Sequence, residues 1–199
     1  MISFDDEIER LHYLVDNNFY FNVFEKYSEA ELIEITEYAK SIHFQFASYM
    51  SASKFYKDYA LKTNDKTKFL EDYNQHVAIV ALYLANGNVK QAKQFISAMV
   101  EQRYQPATPT FLNAGRARRG ELVSCFLLEV DDSLNSINFI DSTAKQLSKI
   151  GGGVAINLSK LRARGEAIKG IKGVAKGVLP VAKALEGGFS YADQLGQRP

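Results

Sequence analysis

The chain's single cysteine, Cys125, stands inside the apolar run GELVSCFLLEVDDSLNSI at residues 120–137, which breaks at once into Asp-Asp-Ser. A lone thiol in such a run has two readings. Free cysteine packs as a small hydrophobe, so the residues alone favour a structural thiol buried in a strand. The other reading is a redox thiol beside a nucleotide site, with the polar cluster after it capping a helix or gripping a ligand. One cysteine leaves no internal disulfide and no cysteine-rich metal site.

Three further groups deserve a chemical reading. Gly151-Gly152-Gly153 precedes VAIN and superficially suggests a phosphate loop. A Walker motif would put Gly-Lys and then Ser or Thr at a helix entry, which this segment lacks. A dinucleotide fingerprint leads from strand into helix, whereas these glycines lead from helix into strand. They read as a helix C-cap and tight turn, the alternative being bare backbone that lets a ligand approach closely. His12, His43 and His76 show no metal-ligand spacing and read as satisfied core or surface histidines. The basic stretch from Arg162 to Lys172 is either a solvated turn or a mobile anion-binding loop at the C-terminal edge of a sheet.

The elements that must position these groups fall into two textures. Up to residue 104 the chain reads as helices. Ser3 is the expected N-cap of the first, with Ile8, Leu11 and Val15 on one face; Ser28 and Glu31 have capping-box spacing, followed by Leu32, Ile35, Ala39 and Ile42. Asn86-Gly87 is a stop signal between two later helices. After Pro106 comes a turn-rich stretch, then ELVSCFLLEV as a buried strand, a helix capped near Asp132 or Ser133, and VAINLS as a second strand. Strand, helix and strand make a βαβ unit with parallel pairing. A last helix has Pro180 near its start.

Composition bounds the class. The 199 residues are 46% hydrophobic and 12% aromatic, enough for a packed core, and the net charge of +1 implies no polyelectrolyte partner such as nucleic acid. Charge is uneven: residues 1–40 hold ten acidic and three basic residues, while residues 141–199 hold ten basic and four acidic. The C-terminal part is thus suited to an anion such as a phosphate. The acidic N-terminus is no secretory signal, and no stretch of about 18 apolar residues would span a membrane, so a cytoplasmic protein is expected. QLGQRP ends in what reads as a loop in mid-course, which suggests a piece of something longer.

The segment RYQPATPTFLNAGRARRGELVSCFLLEVDDSLNSINFIDSTAKQLSKIGGGVAINLSKLRARGEAIKG resembles the large, catalytic subunit of ribonucleotide reductase. It is most similar to the class Ib type found in bacteria such as staphylococci, and the likeness extends over essentially all 199 residues. The resemblance implies an α/β fold: a mainly helical N-terminal domain at residues 1–104, then at 105–199 the first strands of a ten-stranded α/β barrel. The activity implied is reduction of ribonucleoside diphosphates to 2′-deoxyribonucleoside diphosphates. It starts from a thiyl radical on another cysteine and oxidises a cysteine pair. Cys125 corresponds to one of that pair, with its partner beyond residue 199. Thr108 corresponds to the threonine that holds the substrate diphosphate, Ser124 to a substrate-contacting serine, and Gly153 to a backbone contact.

The same resemblance implies an allosteric site for a deoxynucleoside triphosphate or ATP, with Asp132 and Arg162 touching the effector. Gln194 and Arg198 begin the loop that relays effector identity to the substrate. Residues 137–150 and 174–187 correspond to the helices of a homodimer interface. The implied partners are a small subunit that supplies a dimetal–tyrosyl radical and a glutaredoxin-like or thioredoxin-like reductant. The rival reading is non-catalytic: a split piece that binds a nucleotide or complements another chain.

Overall fold

The acidic N-terminus begins a helix, α1 (Glu7–Asp16), but its cap is Asp6 rather than the expected Ser3. The Asp6 carboxylate accepts from the Glu9 amide at 2.8 Å. It adds a negative charge where the helix dipole favours one, which a serine cannot. In α2 (Glu29–Ser41) the expected capping box is present, with Ser28 and Glu31 accepting from each other's backbone amides. Leu32, Ile35 and Ala39 are buried along its inner face. A short α3 (Tyr49–Lys54) runs into a π-helical turn at Phe55–Tyr59.

The computed structural model describes residues 2–117, 120–150 and 152–191, and its two compact units part between Leu122 and Val123. At the centre of the first unit lies α4 (Tyr73–Ala85), buried continuously from Gln75 through Leu82. A helix apolar on nearly every side has to be enclosed, and α2 and α5 (Val89–Val100) pack against it. Asn86 ends α4 in the left-handed conformation that the Asn-Gly pair predicts. The turn-rich stretch after Pro106 also holds a helix, α6 (Thr108–Asn113). Pro109 sits in its first turn, where a missing N–H costs no helix hydrogen bond.

Gly115, just after α6, has φ +82°, and a side chain there would meet the backbone carbonyl of Ile79 at 2.9 Å. Strain and a backbone clash act together, so Gly115→Ala is expected to destabilise the helical unit by at least about 1–3 kcal/mol. Urea unfolding followed by circular dichroism measures this. An unchanged midpoint would show that the turn after α6 is not held where it is described.

The second unit is built from β1 (Cys125–Glu129), α7 (Leu134–Lys149), β2 (Gly153–Asn157) and α8 (Val178–Tyr191). The strands pair in parallel with Cys125 opposite Gly153 and Glu129 opposite Asn157, as a βαβ unit requires. Ser133 is the N-cap of α7. The strand expected to be buried is neither so long nor so covered: Cys125, Leu127 and Glu129 are exposed, Leu127 at 83%. Among the described residues β1 pairs only with β2, and α7 packs on both strands. Phe126 and Leu128 are half-buried while the alternate positions stay open.

Candidate functional site

Parallel pairing puts the thiol beside a glycine. Cys125 and Gly153 are the first residues of their strands and face each other in register, and the Gly153 amide donates to the Ser124 carbonyl at 2.9 Å. Residues opposed in a ladder project to the same face, and Gly153 has no side chain to fill the space next to Cys125. The thiol is exposed, which corrects the reading of a buried structural cysteine. The apolar run around it is buried on one face only, and position 125 falls on the other. The Ser124 hydroxyl lies 3.4 Å from the Cys125 sulfur, so a hydroxyl and a thiol sit together at the head of β1.

The two readings of the glycine run divide between neighbouring residues. A side chain on Gly152 would collide with the ring of Phe126, so Gly152 answers to packing. Gly153 is the position beside the thiol. The C-cap of α7 is Ile150 rather than a glycine.

At the other end of the strands the charges are paired. Arg162 donates from Nε to the Asp132 carboxylate at 2.7 Å, from Nη2 to the Asp132 carbonyl at 3.4 Å and from Nη1 to the Ala167 carbonyl at 2.9 Å. Lys160 bridges Glu129 at 3.0 Å and Asp131 at 3.1 Å. The loop after β2 is folded on itself: the Gly165 amide donates to the Ala175 carbonyl, and Gly165, Gly170, Gly173 and Gly177 all adopt positive φ. Arg164, Lys169, Lys172 and Lys176 of this loop are exposed. The structure therefore brings together Asp132 and Arg162, two residues thirty positions apart that sequence inspection proposed for one ligand.

Thr108 belongs to the helical unit. It is the first residue of α6 and exposed, on a cleft of ≈ 340 Å³ whose walls include Phe44, Phe55, Tyr73 and Phe111. Gln194 and Arg198 lie outside the described residues. Sequence inspection missed a buried polar cluster in this unit. Glu71, fully buried, accepts from Arg116 at 2.5 and 3.0 Å, from the Leu61 amide at 2.8 Å and from the Tyr20 hydroxyl, and lies 2.8 Å from His76 Nδ1. Burial opposes the charge on Glu71, yet the Arg116 guanidinium and the His76 ring hold its carboxyl well below the usual carboxylate range. His76 is a satisfied core histidine, as expected. No local spacing could have disclosed partners 45 residues apart.

Three family comparisons match successive parts of the chain: ribonucleotide reductase N-terminal over residues 1–44, ribonucleotide reductase all-alpha domain over 45–119, and ribonucleotide reductase barrel domain over 123–199. The helical unit followed by an open pair of parallel strands is thus a helical N-terminal domain and the start of a barrel domain. The ribonucleoside-diphosphate reductase subunit alpha of Bacillus subtilis is 56% identical over 198 residues, covering 99% of this chain and 28% of that one. The protein of that name from Mycoplasma pneumoniae is 48% identical over 191 residues, 96% of this chain and 26% of the relative. The chain spans about a quarter of the length of these relatives.

Proposed function

We propose, from the premise that the chain belongs to the ribonucleotide reductase large-subunit family as its N-terminal region, that it supplies a redox thiol, substrate contacts and an effector site to a class Ib reductase. The substrates are ribonucleoside diphosphates. The observation that supports this most is the exposed Cys125 thiol, flanked by the Ser124 hydroxyl and facing the bare backbone of Gly153. In the proposed reaction two thiols, Cys125 and a cysteine beyond residue 199, give up two electrons and two hydrogens. One hydrogen replaces the 2′ hydroxyl of the ribose, the other leaves with that hydroxyl as water, and the two sulfurs join as a disulfide. A protein dithiol of the thioredoxin or glutaredoxin class then reduces the disulfide by exchange. Thr108 binds the diphosphate, and Ser124 and the Gly153 backbone orient the ribose.

The radical that starts the reaction comes from a small subunit carrying a dimetal–tyrosyl radical. The working enzyme is a homodimer in the cytoplasm. Exposed Leu134 and Phe139 on α7 and Leu179 on α8 are apolar surface suited to such pairing. The test is to join this chain to the C-terminal part of the Bacillus subtilis relative and assay this completed subunit with small subunit and reductant. The 199-residue chain alone is expected to reduce no ribonucleotide, since a radical cysteine and a redox pair require three thiols and it has one. Deoxynucleotide formation by the purified chain would overturn the mechanism. Nucleotide binding by a completed subunit that never reduces would favour the non-catalytic reading.

Asp132 and Arg162 are proposed to bind the effector, a deoxynucleoside triphosphate or ATP, with Gln194 and Arg198 relaying its identity. The guanidinium suits triphosphate oxygens because it can donate two parallel bonds. Losing such a contact costs about 1.5–3 kcal/mol, or roughly ten- to a hundredfold in effector affinity. Arg162→Ala in the completed subunit is expected to keep basal reduction and flatten effector-dependent selectivity among the four diphosphates. Titrating each effector while following all four products measures this. Wild-type selectivity and affinity would leave the loop a solvated basic turn.

A further inference from the structure

The buried cluster around Glu71 ends on α6. His76 lies between two oxygens: Nδ1 is 2.8 Å from the Glu71 carboxylate and Nε2 is 2.8 Å from the Phe111 carbonyl. The Phe111 carbonyl can only accept, so Nε2 donates to it, while Nδ1 has the Arg116 Nη2 beside it at 3.1 Å as well as the carboxylate. Arg116 grips Glu71 with two nitrogens and turns its Nε toward the Leu112 carbonyl at 3.4 Å. One carboxylate thus holds two donors against the carbonyls of successive residues in the last turn of α6.

That turn needs them. A six-residue helix is marginal by itself, and α6 has no side-chain N-cap bond. Its last carbonyls have no partner within the helix, and positive donors are favoured at that end. The helix in turn holds the chain that follows: Thr110 donates its hydroxyl to the Leu122 carbonyl at 2.8 Å, and Asn113 donates its amide to the Glu121 carbonyl at 3.0 Å. Thr108 opens the same helix.

We infer that Glu71, acting through His76 and Arg116, is a positioning residue for α6, the helix that presents Thr108 to the substrate diphosphate. The inference rests on the proposed substrate site. Glu71 touches neither substrate nor reacting atoms. Its effect is on where Thr108 stands, and so on substrate binding more than on the chemical step.

The experiment uses the completed subunit with His76→Phe, which keeps an aromatic ring and removes both ring nitrogens, and His76→Gln, which keeps an amide donor for Phe111. Expected for His76→Phe is a KM for ribonucleoside diphosphate raised about tenfold or more, with kcat and effector affinity within about threefold of wild type. Amides of α6 should lose hydrogen-exchange protection while those of α5 keep it. His76→Gln should return KM most of the way. Arg116→Lys, which keeps the charge and loses the bond to Leu112, should give the same pattern at smaller size if His76→Phe does not fold. Thr108→Val is measured alongside. If Thr108→Val raises KM while the His76 and Arg116 variants leave KM and α6 protection at wild type, the positioning role is wrong and the substrate site stands. Equal loss of protection across α5 and α6 would likewise reduce the cluster to general stability. A Thr108→Val enzyme of wild-type KM would overturn the substrate site and the inference with it.

Discussion

Cys125→Ser in the completed subunit is expected to stop multiple turnover and leave the fold intact. Serine cannot join a second sulfur in the disulfide whose formation gives the substrate its two electrons, so not even a first deoxynucleotide per subunit should be completed. The swap removes little volume, and a buried hydroxyl left unpaired would cost about 1–3 kcal/mol. Loss of activity should therefore greatly exceed loss of stability. Steady turnover by the serine variant would return Cys125 to a structural role.

The second large effect is on stability. Glu71→Gln keeps the shape of the side chain but leaves Arg116, itself 7% exposed, without its counter-charge. Breaking a buried pair from one side costs about 3–5 kcal/mol, a large share of the roughly 5–15 kcal/mol that holds a domain folded. The exposed pair Lys93–Glu34, at 2.5 Å, should be worth no more than about 1 kcal/mol, so distance alone does not rank the two. The pH dependence has a definite sign. A carboxyl held below its ordinary pKa binds fewer protons folded than unfolded, so its contribution is complete above the unfolded value of about 4.3. It is lost as pH falls from there toward the folded value. Urea unfolding from about pH 6 down to 3 should show wild type losing its advantage over Glu71→Gln across that window. A constant difference, or a variant as stable as wild type at pH 7, would show that the Glu71 charge is not what holds the cluster.

Local signals were legible where local physics decides. The Ser28–Glu31 box, the Asn86 stop and the alternation of strand, helix and strand each depend on residues a few positions apart. The cap of α1 was misplaced because Ser3 and Asp6 both qualify by type and only geometry separates them. α6 was hidden because the two prolines and two glycines of that stretch read as turns, and the donors that complete its last turn come from His76 on another helix and Arg116 beyond it. The strand through Cys125 was expected to be buried because an apolar run says how hydrophobic a strand is, not how many neighbours cover it. That Asp132 and Arg162 touch one effector was expected from resemblance alone, and their ion pair was not foreseen, since no spacing announces partners thirty residues apart.

The proposed function stands or falls with Cys125 as the working redox thiol of a ribonucleoside-diphosphate reductase. The most direct measurement is deoxynucleoside diphosphate formation by the completed subunit, assayed with small subunit and protein dithiol beside the unaltered Bacillus subtilis relative. The expected result is sustained reduction that needs the small subunit and disappears with Cys125→Ser. A completed subunit that folds and binds the diphosphate, yet forms no product while the relative is active, would contradict it.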